Sequence, residues 1–385
     1  MSANATRSPR TTSGQASLPY PEELDKDLRG LGLSEAERVE TITTAWEYTR
    51  CVIPEFTNWP KYMAVVRLTT VATIAEYRAE LIDVASMADP GCVLLGYDIH
   101  EMLDLLFGGT EVHEDMTREF LTAILFSTLK AGEQNSDLVT SWIEALATSP
   151  QAYLRLRDTD GGVRIFVAFA KSCNDVDDWL SEEQNRGISE LALYTYDNVA
   201  MFKHRAEGEV SNFYAYCGSD LSIRKDAYNA ALSMQWELDK TWCRTVGGRC
   251  AMNLARQFPL LHMMMHRYRF IEDGLVIGKP ESDEVIEQTR HGVKLWYRNE
   301  ANPESEKRRD DAIARMSPIL TPGLAELLTL PDEQKCPKCV RREVYGVTAP
   351  GQFGGVALCP DCTATYRDYV HTSEERWSRA FQLDR

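Results

Sequence analysis

The chain has 385 residues, enough for one large domain or two to three ordinary ones, and its 44% hydrophobic content can fill a sizeable core. A formal net charge of −16 argues against a nucleic-acid partner, because affinity for a phosphate backbone comes from Lys and Arg side chains. The sequence contains neither the apolar core of a signal peptide nor a run of about 18 apolar residues, so we expect a cytoplasmic protein without stable membrane insertion.

The first 18 residues are rich in Arg and Ser and poor in acids. This composition resembles an organelle transit peptide, but it is more typical of a disordered cytosolic tail. We expect residues 1–18 to be disordered and an all-α catalytic body to occupy residues 19–330.

Helical spacing of apolar residues continues almost throughout that body. The first long helix is predicted after Ser34, which forms a capping box with Glu37. Ten or more helices with short loops are typical of an all-α fold. The predicted helices after this one cover residues 60–88, 98–107, 115–131, 137–148, 164–180, 183–206, 222–242, 250–273, 282–297 and 308–328.

Four cysteines in the tail, residues 331–385, have the spacing of a structural zinc site. Two C-x-x-C pairs stand nineteen residues apart, and each pair offers two thiolates to one tetrahedral ion. Two disulfides or free thiols are the alternative. Because four thiolates leave no open coordination position, we expect this Zn²⁺ to stabilise a small ribbon with a terminal helix. The four residues are Cys336, Cys339, Cys359 and Cys362.

Three carboxylates lie in the largely apolar stretch 71–83, with Arg78 on a neighbouring face. Glu76, Glu80 and Asp83 would share one stripe of a helix, where they repel each other unless a cation neutralises them or they face water. A metal site and a merely solvated helix face are both compatible with this pattern.

Two further acidic clusters follow on later helices. The sequence SCNDVDDW contains Asn174 and Asp178, which suit a Mg²⁺ ion that keeps several waters but also occur at ordinary helix ends. The sequence YTYDNVAMFKHRAEGE carries Asp197 and His204 seven residues apart, on one helix face, beside the cations Lys203 and Arg205. Such a mixture suits a site for a metal and a phosphate together, with a surface salt-bridge network as the alternative.

A fourth cluster, HMMMHRYRFIE, contains adjacent donors for an oxyanion, Arg267 and Tyr268. An all-α body with acidic helices, later Arg and Tyr donors and abundant aromatic residues is what a class I terpene cyclase needs: an apolar cavity beside a diphosphate site. The expected aromatic wall residues are Trp46, Phe56, Tyr77, Tyr194, Phe202, Phe213, Tyr214 and Tyr216.

The chain resembles the fungal sesquiterpene synthases of abscisic acid biosynthesis, the α-ionylideneethane synthases. The resemblance spans nearly the whole chain after residue 40. The matching stretches are AWEYTRCVIP, IAEYRAE, LLGYD, CNDVDD, YDNVAMFKHRAEGE, HMMMHRYRFIE, DEVIEQTR and QFGGVALC.

This resemblance implies conversion of farnesyl diphosphate to α-ionylideneethane and diphosphate, with catalytic Mg²⁺ and neutral polyene intermediates. It implies the following roles. Glu76, Glu80, Asn174, Asp178, Asp197 and His204 are the candidate Mg²⁺ ligands. Lys203, Arg205, Arg267 and Tyr268 are the candidate diphosphate-binding residues. His113 and Glu40 are candidates for the proton transfers, because these need a carboxylate or an imidazole.

Two other function classes compete with this interpretation. A di-metal carboxylate oxidase on a helical bundle needs Glu-x-x-His pairs, and the sequence contains none. A non-catalytic, zinc-dependent interaction protein remains possible, with the polar clusters serving only as salt bridges.

Overall fold

The computed structural model describes residues 20–132, 145–146, 149–206, 211–216, 222–261, 265, 320–322, 335–341 and 356–383. At residues 129–132, 202, 203, 205, 206, 215 and 341 it describes the backbone alone. The predicted helix 282–297 and most of the predicted helices 137–148 and 308–328 lie outside the described residues, as does the N-terminal segment 1–18.

The described chain is built almost entirely from helices, which confirms the predicted all-α fold. A central helix, α3, is buried over most of its length and packs against α2 and α5. The helices are α1 (Glu22–Asp27), α2 (Glu35–Val52), α3 (Trp59–Tyr77), α4 (Ile99–Phe107), α5 (His113–Gly132), α6 (Pro150–Gly161), α7 (Val163–Cys173), α8 (Glu182–Ala206), α9 (Ser222–Thr241), α10 (Val246–Gln257), α11 (Pro360–His371) and α12 (Ser373–Ala380).

Local capping explains where several of these helices begin. The predicted capping box is present at α2: the Glu37 backbone N–H donates to the Ser34 hydroxyl, and the Ser34 N–H donates to the Glu37 carboxylate. Asn58 accepts from the Lys61 N–H at the start of α3. These contacts satisfy N–H groups that have no partner within the helix.

The predicted helix 60–88 is too long, because α3 ends at Tyr77. Arg78 leaves the helical region (φ −130°, ψ 53°) and forms ion pairs with Glu37 of α2 and with Glu80. Two single 3₁₀ turns, Ala79–Leu81 and Val84–Ser86, follow. Glu76, Glu80 and Asp83 therefore do not form one helical stripe.

Two other boundaries differ from the sequence prediction. Helix α6 lies in a stretch for which the sequence predicted no helix, and several of its Arg and Asp side chains are buried in ion pairs. The predicted helix 164–180 ends at Cys173, and Asp175 adopts a left-handed backbone conformation (φ 51°). Gly162, at φ 69°, separates α6 from α7, where a residue with a side chain would be strained.

The described tail packs on the helical body. Strands β3 (Val340–Arg341) and β4 (Val356–Ala357) pair antiparallel beside the cysteines, and a similar short pair, β1 (Val93–Leu94) with β2 (Tyr97–Asp98), precedes α4. Helices α11 and α12 contact α8 and α9, and Trp377 is buried against them. The Glu190 carboxylate of α8 accepts from Trp377 (2.9 Å) and Arg376 (3.1 Å).

Among the described helices, none combines the length and the apolar character that crossing a lipid bilayer requires.

Candidate active site

A cavity of about 170 Å³ lies between the central helices of the body. Helices α2, α3, α5, α6, α7 and α8 and the 3₁₀ turn Phe258–Leu260 contribute to its wall. The lining residues are Thr44, Tyr48, Thr69, Ala72, Thr73, Glu76, Phe120, Ala123, Ser127, Arg157, Thr159, Asp160, Gly161, Gly162, Ile165, Phe166, Tyr196, His204, Ser211, Phe258, Leu261 and Met265.

Aromatic rings form much of this wall. The ring centroids of Tyr48 and Phe166 are 4.7 Å apart, and those of Tyr196 and Phe258 are 4.6 Å apart. Phe120 adds a further ring from α5. The sequence predicted eight other aromatic residues for this wall. Seven of them have described side chains, and none of the seven lines the cavity. The side chain of the eighth, Phe202, is not described. The cavity nevertheless has the ring faces that attract a cation.

One end of the wall is charged. The guanidinium of Arg157 pairs with Asp160, and its Nη2 donates to Asp197 Oδ1 at 2.7 Å. It also lies 5.6 Å from the centre of the Tyr196 ring. Burial alone would lower the pKa of Arg157, but the two carboxylates raise it well above its ordinary value. Arg157 is therefore a permanent cation at the cavity wall.

Asp197 is fully buried and forms an ion pair with Arg157. Its Oδ2 accepts from the Phe213 N–H at 2.7 Å, in addition to the contacts with Arg157. Asn212 lies next to it: the Asn212 Nδ2 donates to the Asp197 carbonyl at 2.8 Å and to His204 Nδ1 at 3.0 Å. Asn212 thus links the backbone of Asp197 to the ring of His204, and only His204 of these two lines the cavity.

The two glutamates predicted as metal ligands are separated. Glu76, in the last turn of α3, lines the cavity. Glu80 lies on the following 3₁₀ turn, is exposed, and pairs with Arg78. The structure thus brings Glu76 and His204 into one cavity wall without Glu80.

The predicted ligands Asn174 and Asp178 lie at the C-terminal end of α7, away from the cavity wall. Asn174 Nδ2 donates to the Glu55 carbonyl (2.8 Å) and the Ala170 carbonyl (2.9 Å). Asp178 pairs with the buried Lys171 ammonium, whose Nζ lies 2.5 Å from Asp178 Oδ1. These contacts secure the end of α7.

The two proton-transfer candidates also lie off the described wall. His113 begins α5, where its Nε2 is 2.7 Å from the Asp104 carboxylate. Glu40 is buried on α2 near Tyr77; burial raises the pKa of Tyr77 to about 12, and the charge of Glu40 acts in the same direction. The diphosphate-binding candidates cannot be located: Lys203 and Arg205 are on α8 with undescribed side chains, and Arg267 and Tyr268 lie outside the described residues.

Within the part of the chain that the structure describes, His, Cys, Asp and Glu ligand atoms converge at metal-binding distances only in the tail. The five predicted Mg²⁺ ligands that are Asp, Glu or His form no group of three among the described side chains.

The four tail cysteines do fit a zinc ion. Their sulfur atoms all lie within 4.8 Å of one another, and Cys336 Sγ is 3.9 Å from Cys359 Sγ. With Zn–S bonds of about 2.3 Å, tetrahedral geometry puts two sulfurs about 3.8 Å apart. Backbone N–H groups also donate to the sulfurs: Cys359 N–H to Cys339 Sγ at 3.3 Å, while the Lys338 N–H helps lower the pKa of Cys336 to about 7. Such donors favour the thiolate of Cys336, whereas burial raises the pKa of Cys339.

Sequence reasoning missed Arg157, Asp160 and Asn212. The segment LRLRDTD offered a signal, because Arg157 and Asp160 stand three residues apart, the spacing of a helical ion pair. Asn212 gave no comparable signal, since its partners are the Asp197 carbonyl and His204 on a preceding helix.

Comparisons with known proteins identify the family of the chain. The family model described as "Alpha-ionylideneethane synthase aba3" matches residues 16–383. A protein of Botryotinia fuckeliana (strain B05.10) named alpha-ionylideneethane synthase aba3 is 41% identical over 368 residues, which cover 94% of this chain and 82% of that protein. A protein of Leptosphaeria maculans named alpha-ionylideneethane synthase abl3 is 38% identical over 369 residues, covering 94% of this chain and 85% of the relative. The chain belongs to the alpha-ionylideneethane synthase family.

Proposed function

We propose that this protein is a sesquiterpene synthase of an abscisic acid type pathway, which converts farnesyl diphosphate to α-ionylideneethane, or a related sesquiterpene, and diphosphate. The observation that carries the proposal is the cavity wall, which combines aromatic rings with the side chains of Arg157, Asp160, Glu76 and His204. The names of the relatives support the same activity.

The reaction needs both parts of this wall. When the allylic C–O bond breaks, both electrons leave with the diphosphate and an allylic cation remains. The Tyr196 and Phe258 rings offer negative faces to such a cation, and a wall of this kind keeps water away from it. Loss of one proton from the rearranged cation then gives a neutral hydrocarbon.

A group that removes or returns this proton must lie at the cavity. Glu76 and His204 meet that requirement, whereas His113 and Glu40 are not among the described lining residues. Glu76 is the stronger candidate, because a carboxylate can accept a proton and return it to a neutral polyene in the same pocket. Mg²⁺ as the ion that assists departure of diphosphate stays a prediction from the sequence.

The direct test is incubation of the purified protein with farnesyl diphosphate and Mg²⁺, followed by gas chromatography of a hexane extract. We expect α-ionylideneethane or a closely related hydrocarbon, and its loss when Mg²⁺ is omitted. If no hydrocarbon forms while the protein remains folded with its zinc, the proposed function is wrong. That result would favour a non-catalytic interaction protein.

Glu76→Gln and Glu80→Gln make a matched pair for the carboxylate. Both changes remove one charge from the end of α3 or the turn after it, but only Glu76 lines the cavity. We expect Glu76→Gln to lower kcat by at least about 100-fold, within the range of general acid–base catalysis, and Glu80→Gln to keep near-normal turnover. Equal losses in the two variants would contradict this assignment.

A further inference from the structure

The side-chain amide of Asn212 has only one orientation that its neighbours allow. Its Nδ2 lies 2.8 Å from the Asp197 carbonyl oxygen, which can only accept. Its Oδ1 lies 2.9 Å from the Tyr214 backbone nitrogen, which can only donate. Rotating the amide by 180° would face acceptor to acceptor and donor to donor, so Nδ2 is the donor group.

This orientation determines the hydrogen on His204. The Asn212 Nδ2 is 3.0 Å from His204 Nδ1, and an NH₂ group has a second hydrogen to donate there. Nδ1 must therefore carry a lone pair. In a neutral imidazole the other nitrogen, Nε2, then carries the hydrogen.

Burial protects the hydrogen bond between Asn212 and His204 from competition by water. Asn212 is fully buried and His204 is 4% exposed, so solvent cannot readily replace either partner. The turn that carries Asn212 is itself secured, because the Phe213 N–H donates to the Asp197 carboxylate and the Phe213 carbonyl accepts from Tyr366 at 3.2 Å.

We propose that Asn212 is a positioning residue that holds His204 as the Nε2–H tautomer, so that Nε2 is a hydrogen-bond donor and not a metal ligand. An imidazole binds a metal through a nitrogen without a hydrogen, and the one such nitrogen of His204 faces Asn212. The sequence-based assignment of His204 to Mg²⁺ is replaced by this one.

A donor recognises an acceptor, and the acceptor that the substrate brings is an oxygen of its diphosphate group. This identification of the acceptor rests on the proposed function; the tautomer does not. His204 and Arg157 line the same cavity, and Arg157 is already paired there with Asp160 and Asp197.

The test is ¹⁵N NMR of protein labelled at histidine, with the His204 signals identified by their disappearance in His204→Gln. We expect the hydrogen on Nε2 in the wild-type protein. Addition of inorganic diphosphate should shift the Nε2–H signal, whereas Mg²⁺ alone should leave it in place. A hydrogen on Nδ1, a shift with Mg²⁺ alone, or no response to diphosphate would overturn the proposal.

Asn212→Asp supplies the matching perturbation, because an aspartate oxygen accepts where the amide nitrogen donates. We expect the hydrogen to move to Nδ1 and kcat to fall. Asn198→Asp is the control: Asn198, on the same helix as His204, donates to the Arg224 carbonyl at 3.0 Å and is not a partner of His204 in the structure. Should Asn212→Asp not fold, the wild-type spectrum decides alone. If the proposed function is wrong, the protein will form no hydrocarbon product, but the tautomer of His204 will still be the Nε2–H form.

Discussion

Glu119 is the best place to measure how much buried charge contributes to this fold. Its carboxylate, 1% exposed, joins α5 to α6 through a two-pronged contact with Arg155. Oε1 also accepts from Thr159 at 3.0 Å, and Oε2 accepts from Thr321 at 3.2 Å. The neighbouring Phe120 lines the cavity, so the pair supports the site.

Glu119→Gln keeps the shape of the side chain and replaces one carboxylate oxygen with an NH₂ group. The remaining oxygen can still accept from Thr159 and one Arg155 nitrogen. The NH₂ group, however, would face the second Arg155 nitrogen, donor against donor, and Arg155 would keep only the more distant Asp158 carboxylate, 3.8 Å away, as a buried counter-charge. Removing one partner of a buried ion pair costs about 3–5 kcal/mol, and we expect a loss in this range in the free energy of unfolding.

The assay is chemical denaturation of wild type, Glu119→Gln and Glu80→Gln, followed by circular dichroism. Glu80→Gln breaks an exposed pair with Arg78 and should cost no more than about 1 kcal/mol. A Glu119→Gln loss that small would refute the reasoning.

The pH dependence of Glu119 provides a second check. Burial alone would raise the pKa of Glu119, but Arg155 outweighs it and holds the pKa below its ordinary value. A lowered folded-state pKa means that the stabilisation is complete above the unfolded value of about 4.3 and disappears as the pH falls through the folded pKa. The difference between wild type and Glu119→Gln should therefore shrink below about pH 4, and a difference that grows on acidification would be inconsistent with this sign.

Three further outcomes are expected. Cys336→Ser should lower the bound zinc, measured by mass spectrometry of metals, and reduce thermal stability before it alters product identity; wild-type protein that releases no zinc to a chelator would contradict this. Iodoacetamide at pH 8 should leave Cys51 and Cys250 unlabelled in folded protein, because burial raises each pKa to about 11 and leaves only about one thiol in a thousand ionised; rapid labelling would count against it. Tyr366→Phe removes the donor to the buried Phe213 carbonyl and should cost about 1–3 kcal/mol of unfolding free energy, with no loss meaning that the contact contributes little.

The sequence predicts the features that depend on neighbouring residues. The Ser34 capping box, the helical periodicity and the paired cysteines all concern short spacings, and the structure contains each of them. The end of α3 could not be predicted in this way. Its apolar periodicity continues past Tyr77. The helix nevertheless ends there, where Arg78 forms ion pairs with Glu80 and with Glu37 of α2. The partner on α2 is not visible in the local spacing.

The same distinction separates the predicted from the unpredicted parts of the candidate site. Glu76 and His204 were identified as members of clusters of charged and polar residues on predicted helices, and both line the cavity. Asp197 was chosen for the same reason, but whether it faces a cavity or an arginine depends on Arg157, forty residues earlier. Residue type and spacing along one helix cannot predict whether Asp197 faces the cavity or Arg157.

The zinc tail is connected to the cavity by a short series of contacts. Cys359 is the N-cap of α11 and Cys362 lies in its first turn; further along this helix Tyr366 holds the Phe213 carbonyl, one residue beyond Asn212. A chain truncated after residue 330 would therefore lose an outer support of the histidine at its cavity wall. Mutations of the four cysteines should consequently disturb that wall as well as the stability of the tail.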